Sequence, residues 1–383
     1  MLHLPHNLRR LAMAQYIHNL PNWPEFTWNQ EQISPLLAAV RHRQGRLLGK
    51  MESMGFNLQA EANLHTLTLD IIKSSEIEGE ILDAGQVRSS IARRLGMDVA
   101  EILIPSDRHV EGVVEMMLDA TQKYNDPLTD ERLFNWHAAM FPTGRSGMVK
   151  IAVGSYRDNT KDDPMQVVSG AMGREKIHFQ APESEILQKE MSALLEWFNN
   201  ESPTDAVLKA AIAHLWFVTI HPFDDGNGRM ARAITDMQLS RADQNTQRFY
   251  SMSSQIRTER NAYYDILEET QKESLDITLW IEWFLRCLDR ALNNTDETLA
   301  IVFKKARFWE KHTTTALNDR QRTMLNKVLD GFDGKLTSTK WAKITKSSQD
   351  TAGRDIQDLI TKGILGKETG GGRSTNYALL QVG

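Results

Sequence analysis

Residues 204–219 are nearly apolar throughout, and this stretch constrains the fold more than any other part of the chain. A helix of such residues has no polar face to turn towards water, so other elements must surround it. Pro222 ends the helix, because proline lacks an amide hydrogen and clashes with the preceding turn. We therefore expect a mainly α-helical protein with this helix at its centre.

Hydrophobic periodicity predicts further helices before and after this stretch. They are expected at residues 31–55, 58–78, 84–96, 106–123, 129–140, 184–199, 227–242, 254–271, 275–292 and 297–311. Residues 141–182 differ, because their glycines indicate turns and their short apolar segments indicate strands. For this region we predict a small β-hairpin that pairs residues 151–157 with 175–180.

The C-terminal segment has the pattern of a winged helix-turn-helix, in which short helices precede two strands. The helices are predicted at 318–330, 336–343 and 348–361, and the strands at Gly363–Gly366 and Thr375–Leu380, with Gly370, Gly371 and Gly372 between them. Residues 317–383 carry 11 Lys and Arg against 7 Asp and Glu, whereas the whole chain has a net charge of −5. This asymmetry favours a separate terminal module.

The length of 383 residues is enough for two or three domains. We expect an N-terminal extension at 1–104, a central helical core at 105–296, and a linker helix with the winged helix at 297–383. Cys287 is the only cysteine of the chain, which excludes a disulfide framework, a Cys-rich zinc site and a redox pair. There is no run of about 20 apolar residues, so we expect no membrane span. Residues Met1–Arg10 lack the apolar region of a signal peptide, so we expect none, and the single cysteine fits a reducing, cytoplasmic location.

The segment that follows the apolar helix, HPFDDGNGRMAR at His221–Arg232, concentrates groups that suit anion binding. A new helix is predicted from about Asn227, and the backbone amides at a helix N-terminus bind anions, with Gly226 and Gly228 removing side-chain bulk. Arg229 and Arg232 are three residues apart and therefore share one helix face, where they can clamp phosphate oxygens.

Two other residues of this segment have chemistry suited to phosphate transfer. Asp225 offers a carboxylate, the type of ligand that Mg²⁺ prefers. His221 is the one group of the segment whose ordinary pKa suits general-base catalysis at neutral pH. The alternative is that His-Pro only ends a helix and the arginines only form a solvated face, which leaves the glycines and Asp225 unexplained.

The segment matches the Fic (filamentation induced by cAMP) signature HPFx[D/E]GN[G/K]RxxR at every specified position, so the chain resembles this family. The resemblance covers most of residues 20–295. Leu133–Phe141 resembles the helix before the family's flap, and 151–180 resembles the flap itself. Met252–Leu267 resembles the helix that lines the nucleotide pocket, and Trp23–Trp28 resembles the extension of one bacterial subgroup.

The resemblance implies a protein adenylyltransferase, which moves AMP from ATP to a Ser, Thr or Tyr hydroxyl of a protein and releases pyrophosphate. His221 would deprotonate the hydroxyl, Asp225 would hold Mg²⁺, and the flap at 151–180 would hold the target chain as an added strand. The implied nucleotide-binding residues are Phe223, Gly226, Asn227, Gly228, Arg229, Arg232, Tyr263 and Tyr264. For the two tyrosines, ordinary packing is an equal alternative, because adjacent helix residues point about 100° apart.

Ser74, Glu78 and Gly79 fit the pattern [S/T]xxxE[G/N], which marks the inhibitory helix of Fic proteins. By this resemblance Glu78 would pair with Arg232 and block the γ-phosphate, since a carboxylate competes with phosphate for one guanidinium. The alternative is a charged helix end that Gly79 terminates. In some family members the same glutamate positions water for the removal of AMP, so that activity stays open here.

The sequence also supports an alternative function, a DNA-binding regulator that acts through residues 317–383 with the Fic core as a nucleotide sensor. The predicted recognition helix at 348–361 carries Arg354 but also Asp350, Asp355 and Asp358, and DNA affinity depends mainly on neutralising phosphates. Auto-modification and a homodimer are left open, and the target protein is not identified. We expect structural roles for His137, His178 and His214.

Overall fold

The computed structural model describes residues 16–97, 104–170, 174, 176–329, 332, 334–368 and 375–380, without the side chains of 296–298. Within this part the protein is mainly α-helical, and the strands form three two-stranded antiparallel sheets. In the same part, no helix combines the length and the apolar composition that crossing a membrane requires.

The described helices are α1 (Gln30–Glu52), α2 (Phe56–Ile77), α3 (Ala84–Arg94), α4 (Arg108–Gln122), α5 (Asp130–Met140), α6 (Leu187–Asn199), α7 (Ala206–Ile220), α8 (Asn227–Asp243), α9 (Met252–Thr258), α10 (Arg260–Thr270), α11 (Thr278–Lys311), α12 (Asp319–Leu329), α13 (Ser338–Ile344) and α14 (Gln349–Thr361). The strands are β1 (Arg145–Ser146), β2 (Val149–Lys150), β3 (Gln166–Ser169), β4 (Lys176–Gln180), β5 (Leu365–Lys367) and β6 (Tyr377–Leu379). Single 3₁₀ turns lie at Ile17–Asn19 and Ser184–Ile186.

Helix α7 is the predicted apolar helix, and it is buried at every position from Val207 to Ile220. Its most extensive packing partner is α8, which follows it after a short turn. The polar groups inside α7 find partners: Lys209 Nζ donates to the carbonyl of Asn200 at 2.7 Å, and both ring nitrogens of His214 form hydrogen bonds. The prediction of a central buried helix is confirmed.

One hydrophobic core runs from Ile17 to Val302 and includes residues of α1, α2 and α3. The N-terminal helices therefore share their core with the central helices. A buried polar contact reinforces this packing, since the carboxylate of Asp70 on α2 accepts hydrogen bonds from the hydroxyl and the amide of Ser253, both at 3.1 Å. The hydrophobic core shows no division between the two sides of residue 104. The predicted domain boundary at 104/105 stays a prediction.

The predicted hairpin of 151–157 with 175–180 is wrong in its first strand. The strand that pairs with β4 is β3, with Val167 opposite Phe179, and residues 151–157 form no strand. Their backbone serves the turn between α7 and α8 instead. The amide of Ala152 donates to the Asp224 carboxylate at 2.8 Å, and the amide of Arg157 donates to the carbonyl of Pro222 at 2.9 Å. Gly173, one of the glycines of the 141–182 region, is outside the described residues.

Two helix boundaries also differ from the prediction. The single helix expected at 254–271 is divided at Glu259, which ends α9 and begins α10. Conversely, the two helices expected at 275–292 and 297–311 form one continuous helix, α11. Within this helix, Thr295 Oγ1 donates to the carbonyl of Ala291 at 3.0 Å, so the helix backbone satisfies its hydroxyl.

Residues beyond α11 build a second hydrophobic cluster around Trp341, with contributions from α12, α13, α14 and β5. β5 pairs with β6, and Leu365 lies opposite Leu379. The order of three helices and a strand pair agrees with the winged-helix pattern, and assignment to that fold stays a prediction. The wing glycines Gly370, Gly371 and Gly372 lie outside the described residues.

The acidic residues of α14 are divided between its inner and outer faces. Asp355 is buried and accepts from Arg320 at 2.8 Å, and Asp358 pairs with Lys362 at 2.5 Å. Asp350 and Arg354 remain exposed. DNA binding through residues 317–383 stays a prediction.

Because the two hydrophobic clusters are separate, we expect that a destabilising substitution in one leaves the other folded. Trp341 is fully buried, so Trp341→Ala is expected to destabilise the C-terminal cluster by about 3–5 kcal/mol. Amide hydrogen exchange should then accelerate in α12–α14 and stay unchanged in α7 and α8. Gln357→Ala, on the exposed face of α14, is the matched control. Equal acceleration in α7 would contradict the prediction.

Candidate active site

The turn between α7 and α8 holds the residues for which catalytic and binding roles were predicted. Two residues in left-handed conformation shape this turn. His221 ends α7 with φ 51°, and Gly226 precedes α8 with φ 83°. The side chain of Asn227 closes the turn, because its Oδ1 accepts from the amide of Phe223 at 3.0 Å and its Nδ2 donates to the carbonyl of Phe223 at 2.7 Å. The side-chain amide of Asn227 therefore holds the turn together. Only nucleotide binding was predicted for this residue from the sequence.

The N-terminus of α8 is arranged to attract an anion. Gly226 at the cap position has no side chain, so the cap residue itself leaves the first amides of the helix without a side-chain hydrogen bond. Uncapped amides carry partial positive charge. A carboxylate already lies against them, because a Cβ atom built on Gly228 would be only 2.2 Å from Oε1 of Glu78. A glycine at 228 is thus needed for the close approach of an anion to this backbone.

Arg232 is buried and binds the end of α2. Its Nη2 lies 2.8 Å from Oε1 of Glu78, and its Nε and Nη2 donate to the hydroxyl and the carbonyl of Ser74 at 2.9 and 2.8 Å. Its Nη1 is buried without a hydrogen-bond partner among the described residues. The same Nη1 would be 3.2 Å from a Cβ atom on Gly228, so the unpaired donor lies beside the anion site.

Arg229 is equally buried but binds a different carboxylate. Its Nη1 donates to Oε2 of Glu80 at 2.6 Å, its Nη2 lies 3.8 Å from Asp225, and its guanidinium lies 5.1 Å from the centre of the Phe141 ring. Sequence reasoning missed Glu80. The available signal was its position, directly after the Glu78–Gly79 pair.

His221 has the geometry of a general base. Its Nδ1 donates to the carbonyl of Val218 at 3.2 Å, which leaves the lone pair of Nε2 free. Burial lowers the pKa of His221 to about 4, against a smaller upward effect of the Val218 carbonyl, so the ring is neutral at pH 7. Arg157, also missed by sequence reasoning, fixes this end of α7 by donating to the carbonyls of His221 and Ile220 at 2.7 and 3.3 Å.

Asp225 places one carboxylate beside the anion site. Its Oδ1 accepts from the amide of Gly226 at 2.5 Å, its Oδ2 accepts from the hydroxyl of Ser146, and its carbonyl accepts from His137 Nε2 at 3.2 Å. Within the described residues no group of three His, Cys, Asp or Glu side chains could hold a metal ion. A lone carboxylate fits Mg²⁺ when nucleotide phosphates supply further ligands, which is the usual manner of Mg²⁺ binding.

A cavity of about 520 Å³ opens over this turn, bounded by α10 on one side and by β3 and β4 on the other. The predicted site residues that line it are Glu78, His221, Asp225, Gly226, Asn227, Gly228, Tyr263 and Tyr264. Arg229 and Arg232 are not among its lining residues, because both are buried beneath carboxylates of the 78–80 turn.

The predicted role of Phe223 in nucleotide binding stays a prediction, and Phe223 is not among the residues that line the cavity. Phe223 is fully buried and stacks on His137 with ring centres 4.4 Å apart, so it supports the turn from the core side. The two tyrosines differ. The hydroxyl of Tyr263 bonds with His214 Nε2 at 2.8 Å inside the core, whereas the hydroxyl of Tyr264 donates to Oε2 of Glu78 at 3.3 Å.

The three histidines for which structural roles were predicted, His137, His178 and His214, have structural positions. His137 and His214 are buried, and burial lowers the pKa of His137 to about 4 and that of His214 to about 3. His178 on β4 bonds with Ser169 at 2.6 Å and with Glu268 of α10, so it joins the hairpin to the far wall of the cavity.

Comparison with family models gives two matches on this chain. A model described as the Fic/DOC family matches residues 127–239, which include the whole α7–α8 turn. A domain of unknown function, DUF4172, matches residues 16–97, which include α2 and the 78–80 turn.

Curated relatives bear the name protein adenylyltransferase. That of Nematostella vectensis is 32% identical over 114 residues, which are 29% of this chain and 25% of the relative. Protein adenylyltransferase fic-1 of Caenorhabditis elegans is 23% identical over 222 residues, 55% of this chain and 40% of the relative. The matches thus span well under half the length of these relatives.

A solved structure shares the fold over nearly the whole chain. The crystal structure of a Fic family protein from Desulfovibrio desulfuricans superposes with a TM-score of 0.52 at 21% identity, covering 94% of this chain and 99% of that one. The likeness establishes a common fold.

The surroundings of His221 predict that its ring stays neutral in the nucleotide-free protein down to about pH 4. Because this pKa lies below the ordinary value of 6.5, the unfolded chain binds the proton more readily, and the free energy of unfolding should fall as the pH drops through this interval. Chemical shifts of labelled histidine rings, assigned with His221→Gln, give the midpoint. A midpoint near 6.5 would contradict the prediction.

Proposed function

From the Fic/DOC domain that residues 127–239 carry, we propose that this chain is a protein adenylyltransferase, which transfers AMP from ATP to a Ser, Thr or Tyr hydroxyl of a protein. One observation carries the proposal. The free Nε2 of a neutral His221 and the uncapped N-terminus of α8 face the same cavity, so a base and an anion site are held together.

His221 acts as the general base of this reaction. Its Nε2 takes the proton of the target hydroxyl while that oxygen forms a bond to the α-phosphorus, and the bond to the pyrophosphate oxygen breaks. The hydrogen bond from Nδ1 to Val218 keeps the ring in the tautomer that this step requires. The rigid turn positions the base, and positioning is a large part of the rate in such transfers.

The anion site stabilises the phosphates. The first amides of α8, with Gly228 leaving room beside them, face the negative charge that moves towards pyrophosphate. Asp225 would hold Mg²⁺, which supplies charge neutralisation on the phosphates when bound. Arg229 and Arg232 would bind the outer phosphates once their present carboxylate partners leave.

The β3–β4 hairpin is the proposed docking site for the protein substrate within the predicted 151–180 flap. In the described part of the chain it is a sheet of two strands, so its outer edges can accept an added strand. Val168 and Ile177 are 49% and 47% exposed, which gives apolar contacts to a bound chain. The proposal leaves three questions to experiment: whether the protein modifies itself, whether it also removes AMP, and whether it forms a dimer.

Glu78 inhibits the reaction in this proposal. Its carboxylate lies against Gly228 and pairs with Arg232, so it takes both the helix N-terminus and the guanidinium that a terminal phosphate needs. A carboxylate and a phosphate cannot bind the same donors at once. Release of Glu78 would therefore precede productive binding of ATP.

The test compares variants incubated with labelled ATP and protein substrate. Glu78→Gly is expected to raise AMP transfer about tenfold or more, since it frees Arg232, whereas His221→Ala added to it should lower transfer by about 10²-fold or more. Glu76→Ala is the control, because Glu76 pairs with Lys73 on the same helix and touches neither motif arginine. If the Glu78→Gly protein and the Glu78→Gly, His221→Ala double variant were labelled equally, the mechanism would be refuted.

A further inference from the structure

We propose that Glu80 is a second inhibitory carboxylate, which neutralises Arg229 as Glu78 neutralises Arg232. This inference rests on the proposed function and adds a regulatory residue to the same site. Its basis is a set of contacts at the end of α2 that involves the other arginine of the motif.

The contact between Glu80 and Arg229 is direct, and it joins a buried guanidinium to a carboxylate that is 36% exposed. Oε2 of Glu80 lies 2.6 Å from Nη1 of Arg229, whose side chain is 2% exposed. The other carboxylate near this guanidinium, Asp225, is farther away at 3.8 Å. Glu80 therefore makes with Arg229 the type of charge-assisted hydrogen bond that a phosphate oxygen would otherwise make.

The imidazole of His109 also holds Glu80 in place. His109 on α4 has its Nε2 3.2 Å from Oε2 of Glu80 and its Nδ1 3.1 Å from the carbonyl of Met140. Both ring nitrogens face acceptors, an arrangement that a protonated imidazole satisfies completely. The hydrogen bond with Glu80 raises the pKa of His109. Burial raises the pKa of Glu80, but the His109 hydrogen bond and the Arg229 charge outweigh it, so Glu80 stays ionised.

Both carboxylates belong to one turn. Gly79, with φ 85°, separates them, and the amides of Glu78 and Glu80 donate to the carbonyl of Ser75 at 3.1 and 3.0 Å. The turn is thereby tied to the last residues of α2. Movement of this helix end would release both arginines together, whereas loss of Glu78 alone leaves Arg229 paired.

The experiment adds Glu80→Gln to the Glu78→Gly variant and measures the affinity for ATP with Mg²⁺ by calorimetry. Glutamine keeps the size of the side chain and one oxygen for Arg229 while removing the charge. The double variant is expected to bind ATP about tenfold more tightly than Glu78→Gly alone, the size expected from removing one competing charge-assisted bond. Glu76→Gln in the same background, away from both motif arginines, should leave the affinity unchanged within about twofold.

Equal or weaker binding by the double variant would overturn the inference, because Glu80 would then only position Arg229. Glu78→Gly with Glu80→Ala provides a second variant if the first unfolds, which thermal unfolding reveals. Inorganic tripolyphosphate, measured beside ATP, separates the two proposals. Tighter binding of tripolyphosphate by the double variant supports the role of Glu80 even if neither variant transfers AMP, an outcome that would refute only the proposed reaction.

Discussion

The site depends on a turn of the backbone that Asn227 closes from inside. Its carboxamide satisfies both the amide and the carbonyl of Phe223, two buried groups that would otherwise be unpaired at considerable cost. With the turn closed, His221 is held in a left-handed conformation at the end of α7, and the amides of α8 face the same space. The side chain of Phe223 lies in the core on the other side of this turn, where it stacks on His137.

Buried charge links the proposed inhibition to the stability of this molecule. Arg229 and Arg232 are nearly inaccessible to water, and an unpaired charge in such a place is strongly destabilising. Without nucleotide, Glu80 and Glu78 supply the opposite charge. Phosphates are also anionic and can also accept two hydrogen bonds from a guanidinium, so they can replace the carboxylates without leaving the arginines unpaired. The contacts that we propose to be inhibitory thus also stabilise the nucleotide-free protein.

Sequence periodicity predicted most helices within a few residues, because their apolar stripes match the core that they face. It failed where tertiary contacts overrode local signals. Residues 151–157 look like a strand, but Ala152 and Arg157 use their amides to hold the α7–α8 turn. The region near Thr295 was predicted to separate two helices, yet the helix is continuous there and the Thr295 hydroxyl bonds to its backbone. The proximity of the motif residues was predictable, since their spacing within one turn and one helix sets their relative positions.

The amino-acid sequence was sufficient to place His221, Gly228, Asp225 and the two arginines at one helix N-terminus, because neighbours in sequence on a turn and a helix are neighbours in space. It could not show that Phe223 faces the core, that Asn227 is used by the backbone, or that Arg157 fixes the end of α7. Nor could it reveal that Glu80 meets Arg229 and His109, which come from different helices. Such pairings join residues far apart in the chain, and only the packing of α2 and α4 against α8 brings their charges within hydrogen-bonding distance.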